Sequence, residues 1–330
     1  LTKIRTGIKF NMNKEILDLV YCFDENYNIQ AITSANSFLK NYKSKVRIHF
    51  LHNNPASINK HTNHLKKFEN IEEINIYEFK KNQNFDLPIM EKHIVTEATY
   101  YRLFLHQYLP DTVSRILYLD ADVIAMNELT TKINDTFNLI KSSNHSVGAV
   151  NYIFSNNESN DTMLKSLDLN SGKYFNAGVL FIDYEKWLKN ETGNKILSQA
   201  KIMIKEKILK EHDQDILNSF FDGDFLDLDR SYNYPILERF YKQDVEIINS
   251  SNFIHYTGAQ KPWLLNGIFN DISKYYQKSF IDIGLNKRHI VFKNIEKGKT
   301  ILYKFKFKFI IDPWNLITYF HVIKSYLFKV

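Results

Sequence analysis

The chain has a single cysteine, Cys22, in 330 residues. No internal disulfide can form and no thiolate-rich zinc site is available, which fits a reducing cytoplasm. No apolar stretch reaches the roughly 18 residues of a membrane-spanning helix, and none near the start resembles a signal peptide. Glycine and proline are sparse, and with 44% hydrophobic and 24% charged residues the composition is that of a soluble globular protein. The length suits one large domain, or one domain with a sizeable appendage. A net charge of +6 is modest, so where the basic residues fall matters more than their sum. The chain opens on Leu1; Met12, just ahead of the first strand, is expected to be the true start, with residues 1–11 carrying nothing.

What is present is organised around residues 115–124, Arg-Ile-Leu-Tyr-Leu-Asp-Ala-Asp-Val-Ile. Residues 116–119 read as a short buried strand that ends on Asp120 and Asp122. In an open α/β sheet ligands bind at that end. Two hard oxygen donors at i and i+2 can share a divalent cation once the strand gives way to a loop. Aspartate is also common where strands stop, so a plain turn is the alternative. A D-x-D after an apolar strand equally fits the nucleophile loop of dehalogenase-type phosphatases; alone it points to a cation and not to a reaction.

Ahead of this segment, 17–22, 46–51 and 74–79 read as strands, and 28–42 and 57–68 as helices. That β-α-β-α-β opening predicts a parallel sheet with helices on its faces. Asp24 and Asn26 lie at the end of the first strand, where a nucleotide would sit; a polar turn is the plainer reading. Residues 96–106 read as a helix capped by Thr96 or Thr99, with Arg102 among apolar neighbours, either paired internally or aimed into a cleft. Residues 127–141 read as a polar helix or loop, 147–150 as a strand, and 151–172 as a functional loop without periodicity. The buried strand 179–182 is entered through Asn176, Ala177 and Gly178. The two small residues allow close approach, and Asn176 suits a sugar hydroxyl or a strand-entry turn. After a helical stretch, 194–209, Asp213, Gln214 and Asp215 stand at a helix N-terminus, as polar contacts or as simple caps.

Residues 253–263, Phe-Ile-His-Tyr-Thr-Gly-Ala-Gln-Lys-Pro-Trp, form a second informative block. His255 ends a strand and can serve as a third metal ligand through neutral imidazole, though a lone histidine there is often structural. Gly258 would let a backbone N–H meet a phosphate, and Lys261 would neutralise it. From about residue 297 lysines interleave with aromatics; extended, 303–309 would put rings on one face and lysines on the other. Basic plus aromatic suits a surface that lies on anionic lipid. An aromatic edge packed on the core is the alternative, and nucleic acid is disfavoured because the basicity is confined to the tail.

Six blocks occur in order over roughly residues 17–280: Phe23-Asp-Glu-Asn-Tyr27, Tyr101-Arg-Leu103, Tyr118-Leu-Asp-Ala-Asp122, Phe175-Asn-Ala-Gly178, Asp213-Gln-Asp-Ile-Leu-Asn218 and His255-Tyr-Thr-Gly-Ala-Gln-Lys-Pro-Trp263. Together they resemble the family 8 glycosyltransferases, and within them the bacterial lipopolysaccharide-core glucosyl- and galactosyltransferases. The resemblance implies an α/β GT-A fold, a mixed and mainly parallel sheet flanked by helices, over residues 12–280. It implies a UDP-sugar donor carrying glucose or galactose, Mn2+ with Mg2+ as a substitute, retention of the anomeric configuration, and a lipid-linked or oligosaccharide acceptor. Carried over residue by residue, Asp24, Asn26 and Tyr27 would contact uridine, and Asp120, Asp122 and His255 would bind the metal. Arg102, Asn176, Asp213 and Gln214 would surround the transferred sugar, and Gly258 and Lys261 would hold the diphosphate. Residues 281–330 are expected to form a basic, aromatic extension that holds the enzyme on the cytoplasmic face of the bacterial inner membrane.

There is one departure. After 147–150, where some relatives place an acceptor-side aspartate, this chain has Asn151 and Tyr152. Two competing readings are a dehalogenase-type phosphohydrolase with Asp120 as nucleophile and a glycan-binding relative without catalysis. The late position of the D-x-D disfavours the first, and survival of both acids and the histidine disfavours the second.

Overall fold

β1 (Leu17–Phe23) is buried along its whole length, as a strand covered by helices on both faces must be. The computed structural model describes residues 16–80, 87, 96–152, 158–236, 245–258, 261–265, 267, 268, 270–292, 319, 320, 323 and 324. Within them, β2 (Val46–His52) and β3 (Ile71–Glu78) extend the sheet in parallel on one side of β1, and β4 (Arg115–Leu119) pairs in parallel on the other. The next strands are β5 (Val123–Ala125), β6 (Val147–Ala149), β7 (Val179–Asp183), β8 (Leu226–Asp227), β9 (Tyr234–Pro235) and β10 (Phe253–His255). The large sheet runs β3-β2-β1-β4-β7-β6-β8, with β7 antiparallel to both neighbours; a small sheet runs β5-β10-β9. The helices are α1 (Asn28–Asn41), α2 (Pro55–Thr62), α3 (Thr130–Ser142), α4 (Glu158–Ser166), α5 (Tyr184–Lys189), α6 (Thr192–Glu206), α7 (Asp213–Phe221), α8 (Val245–Ser250) and α9 (Ser273–Asp282). No helix among the described residues is long and apolar enough to cross a membrane.

Polar contacts help set the strand register. Asp18 of β1 is fully buried, and Arg47 of β2 grips it with two contacts of 2.7 and 2.9 Å. His49 Nε2 approaches the same carboxylate at 2.8 Å. A one-residue slip of β2 would leave a buried charge without these partners, which is strongly unfavourable.

The structure departs from the expected elements in four places. Residues 97–107 form a 3-10 helix rather than an α-helix, and Thr96 makes no side-chain cap. Thr99 instead donates its hydroxyl to Asp213, a tertiary bond that local capping rules do not anticipate. The helix expected over 57–68 ends at Thr62 and continues as i→i+3 turns that still bury Leu65. Part of the segment read as irregular, 151–172, is α4. Finally, β5 follows the D-x-D at once, so the aspartates sit at a crossover between two sheets rather than in an open loop.

The chain past α9 folds back on the body through residue 292. Val291 N–H donates to the Trp263 carbonyl at 2.8 Å, and Gln277 exchanges hydrogen bonds with the His289 backbone. The His289 ring stacks with Phe280 and contacts Tyr276 Oη at 2.6 Å through Nδ1. Burial pulls its pKa down to about 3, from an ordinary 6.5. The unfolded chain therefore binds a proton below pH 6.5 that the folded chain refuses, and stability falls as pH drops through that window. Between pH 6.5 and 5 this group should cost about 2 kcal/mol, measured as the difference in pH slope between wild type and His289→Gln in urea unfolding. Identical slopes would place the acid sensitivity elsewhere.

Candidate active site

The crossover from β4 to β5 gathers the candidate metal ligands. Asp120 N–H donates to the Gly178 carbonyl at 2.9 Å, which pins the first aspartate where β4 leaves the large sheet. β5 then pairs antiparallel with β10, His255 opposite Val123, and Tyr256 N–H donates to the Asp122 carbonyl at 3.1 Å. His255 Nε2 lies 3.1 Å from Asp122 Oδ1 and 3.9 Å from Asp120 Oδ2. One ligand atom from each of the three residues falls within 4.8 Å of the others. Two carboxylates and an imidazole are a donor set suited to Mn2+ or Mg2+, and the Asp120 carboxylate remains 25% exposed toward a cleft. The residues fit a divalent cation.

Gly178 explains the small residue at the entry to β7. A Cβ there would lie 2.2 Å from His255 Cε1 and 2.9 Å from Asp120 Oδ2. Any side chain would thus displace two of these three candidate ligands. Lys261 Nζ meets Asp122 Oδ2 at 2.5 Å and the Tyr256 carbonyl at 2.7 Å. Burial would raise the Asp122 carboxyl, but Lys261 and His255 together hold it well below the usual carboxylate range.

Arg102 is both internally paired and at the cleft. Its Nη2 lies 2.9 Å from Asp120 Oδ1, and its Nη1 donates to the Ala177 carbonyl at 2.5 Å. Its Nε donates to the Thr99 carbonyl at 3.2 Å and makes an ion-pair contact with Asp213 Oδ2 at 2.8 Å. The guanidinium covers the Tyr118 ring at 4.5 Å, and Tyr118 donates its hydroxyl to Asp120 Oδ1 at 2.7 Å. Burial would lower the Arg102 pKa, yet Asp120 and Asp213 raise it overall, so the charge is secure. Asp213 is pushed up to about 6 by burial, against the opposing pull of Arg102 and Thr99.

Asp24, Tyr27, Arg102, Asp120, Asp122, Asn176, Asp213, Gln214, His255, Gly258 and Lys261 all line one cavity of about 600 Å³. Asn26 does not: it is exposed, and its backbone N–H caps the Asp24 carboxylate at 2.9 Å. Tyr27 stands edge-on to Trp263 at 5.9 Å. Gly258 has φ +78 with open space around it, so backbone conformation rather than crowding favours glycine there. Asn176 and Gln214 are joined at 3.0 Å through Nδ2 and Oε1, and Ala177 N–H donates to the same Gln214 oxygen at 3.0 Å. Thr99, expected only as a helix cap, and Tyr118, part of the D-x-D block but given no role, hold these groups together with Tyr174 and Asn233, which the sequence did not single out. Tyr118 resembled any buried strand residue, and nothing in residues 230–233 signalled a role.

A family model described as Glycosyl transferase family 8 matches residues 18–267. A lipopolysaccharide 1,2-glucosyltransferase of Escherichia coli is 30% identical over 314 residues, covering 89% of this chain and 88% of that protein. The protein of the same description from strain K12 is 32% identical over 215 residues, 62% of this chain and 59% of its own length. A lipopolysaccharide 1,3-galactosyltransferase of Salmonella typhimurium is 28% identical over 55% of this chain and 53% of its own. Among solved structures, the galactosyltransferase LgtC with donor and acceptor sugar analogues superposes with a TM-score of 0.60 at 22% identity, covering 84% of this chain and 98% of that one. The pneumococcal glycosyltransferase GlyE gives 0.58 at 20% identity, over 82% and 62%. The chain belongs to glycosyltransferase family 8, folded as a GT-A enzyme.

Proposed function

We propose that the protein is a retaining hexosyltransferase that moves glucose or galactose from a UDP-sugar to a saccharide acceptor, the lipopolysaccharide core, with Mn2+ as cofactor. The observation that carries the reading is the Asp120–Asp122–His255 cluster sharing a cavity with Arg102, Asp213 and Gln214. Relatives described as lipopolysaccharide glucosyl- and galactosyltransferases support the hexose and the acceptor class. Family membership removes the support for a dehalogenase-type phosphohydrolase.

A bound divalent cation would supply Lewis-acid stabilisation of charge on the departing diphosphate. Asp120, Asp122 and His255 would hold it, with Lys261 and the Gly258 backbone toward the same phosphates. Asp24 and Tyr27 remain candidates for the uridine; Asn26 lies off the cavity lining. Arg102 orients Asp213 toward hydroxyls of the transferred sugar. Gln214 Oε1 already accepts hydrogen bonds from Asn176 and Ala177. A nucleophile needs a free lone pair, and an amide held this way is a poor one. Attack by the acceptor on the leaving-group face, with the phosphate taking its proton, follows as the route to retention.

The basic aromatic tail is assigned to membrane contact. Residues 293–318, 321, 322 and 325–330 lie outside the described residues. Of the rest, Tyr319 is buried while Phe320, Ile323 and Lys324 are exposed. Each basic residue near an anionic surface contributes about 1 kcal/mol, so several together would bind reversibly.

Three measurements test these assignments. A screen of UDP-sugars should show metal-dependent UDP release, abolished by chelator and lowered about 100-fold or more in Asp122→Asn without unfolding. Full activity in chelator would sink the cation site. Asp213→Ala should lower kcat by about 100-fold or more while UDP affinity stays within a few-fold; equal losses would move Asp213 to the nucleotide or the scaffold. Truncation after residue 296 should abolish binding to anionic vesicles and leave UDP-sugar cleavage intact. An insoluble truncated protein, with an intact one that ignores anionic lipid, would make the tail part of the core.

A further inference from the structure

A continuous chain of hydrogen bonds runs beneath the cavity from His255 to Asp215. His255 Nδ1 meets Asn233 Oδ1 at 3.0 Å, Asn233 Nδ2 donates to Asn176 Oδ1 at 2.8 Å, and Asn176 Nδ2 donates to Gln214 Oε1 at 3.0 Å. Gln214 Nε2 donates to Tyr174 Oη at 3.1 Å, and Tyr174 donates to Asp215 Oδ1 at 2.7 Å. Every link points the same way.

Backbone groups enforce that direction. Gly178 N–H donates to Asn176 Oδ1 and Ala177 N–H to Gln214 Oε1, each at 3.0 Å, so both atoms must be carbonyl oxygens. The Asn233 atom facing Asn176 Oδ1 must therefore be its NH2, which also points at the Asn176 carbonyl at 3.5 Å. Asn233 then presents only Oδ1 to the imidazole, and His255 must donate from Nδ1. At the far end Asp215 Oδ2 accepts the Lys210 and Glu211 N–H groups at 2.6 and 2.7 Å, leaving Oδ1 for Tyr174.

We infer that Asn233 is a positioning residue for the cation site: it holds the His255 proton on Nδ1, so that Nε2 offers a lone pair between Asp120 and Asp122. This rests on His255 being a metal ligand. Asn233 is buried, on a 3-10 turn between β8 and β9, and the chain gives it no alternative orientation. A ligating histidine fixed this way loses affinity for metal when its partner is removed, typically 10- to 100-fold. The same amide ties the cation side of the cavity to Gln214 on the sugar side.

The test compares Asn233→Leu, which removes both links, with Asn233→Asp, which keeps an acceptor for Nδ1–H but cannot donate to Asn176. Mn2+ binding in the presence of UDP, read by electron paramagnetic resonance, should weaken about 10- to 100-fold in Asn233→Leu and stay near wild type in Asn233→Asp. Asn233→Asp should instead lower kcat through Gln214. In metal-free protein, imidazole 15N shifts should show a proton on Nδ1 of His255, with the peak assigned by its loss in His255→Gln. Wild-type Mn2+ affinity in Asn233→Leu, or a wild-type Nδ1 without a proton, overturns the inference. If Asn233→Leu fails to fold, the Asn233→Asp affinity and the wild-type spectrum decide. Failure of wild-type protein to bind Mn2+ would refute the cation reading alone, since the proton position is still read without metal.

Discussion

Three carboxylates converge on one end of the sheet, and their mutual repulsion is the constraint around which the site is built. Asp120, Asp122 and Asp213 face two buried cations, Arg102 and Lys261. Arg102 is suited to this position because its planar fork satisfies several acceptors at once. It reaches Asp120, Asp213 and the Ala177 carbonyl, and a lysine could not span them from one point charge. Counting these groups alone leaves the cluster net negative. A diphosphate arriving by itself would meet repulsion there, whereas one carrying a divalent cation would not. Under the proposed function, binding of metal and nucleotide would be coupled by charge before any chemistry occurs.

The second dependence is topological. His255 reaches the aspartates only because β5 pairs with β10, and β5 exists only because the chain turns out of the large sheet over Asp120-Ala-Asp122. The D-x-D is therefore a crossing between two sheets as well as a candidate ligand pair. Both functions bear on the neighbouring glycine. Gly178 lies under His255 and Asp120, and its carbonyl accepts from Asp120. Backbone and ligand geometry are set by the same few residues.

Much of this was legible in residue order. Periodicity located β1, β2, α1 and β7, because strands and helices covered by long apolar faces carry their pattern locally. The D-x-D, Arg102 and the block around His255 stood out because charged or small residues interrupted such patterns. The short strands β5, β8 and β9 were not legible, since two or three residues hold no period. Asn233 and Tyr174 escaped for another reason. Their roles come from partners distant in sequence, such as Asn233 and His255, 22 positions apart, and no local pattern encodes a partner. Asn26 shows the converse: its place in a motif suggested a ligand contact, but it is exposed and off the cavity lining, and its backbone N–H caps Asp24.

The segment His212-Asp213-Gln214-Asp215 shows why local rules were ambiguous where function is concentrated. As a helix start it reads as capping, yet His212 at the N-cap makes no side-chain capping bond. Its backbone sits at φ 57, ψ −127, a conformation costly for any residue with a Cβ. Asp213 turns to Arg102 and Thr99, while Asp215 turns back to accept the Lys210 and Glu211 N–H groups. Those two hydrogen bonds close the chain into the tight turn that forces His212 into its strained conformation. The turn rotates the start of α7 so that Asp213 and Gln214 face the cavity together. Strain at His212 is thus offset by the Asp215 bonds, and the same carboxylate that stabilises the turn anchors the hydrogen-bond chain leading to His255.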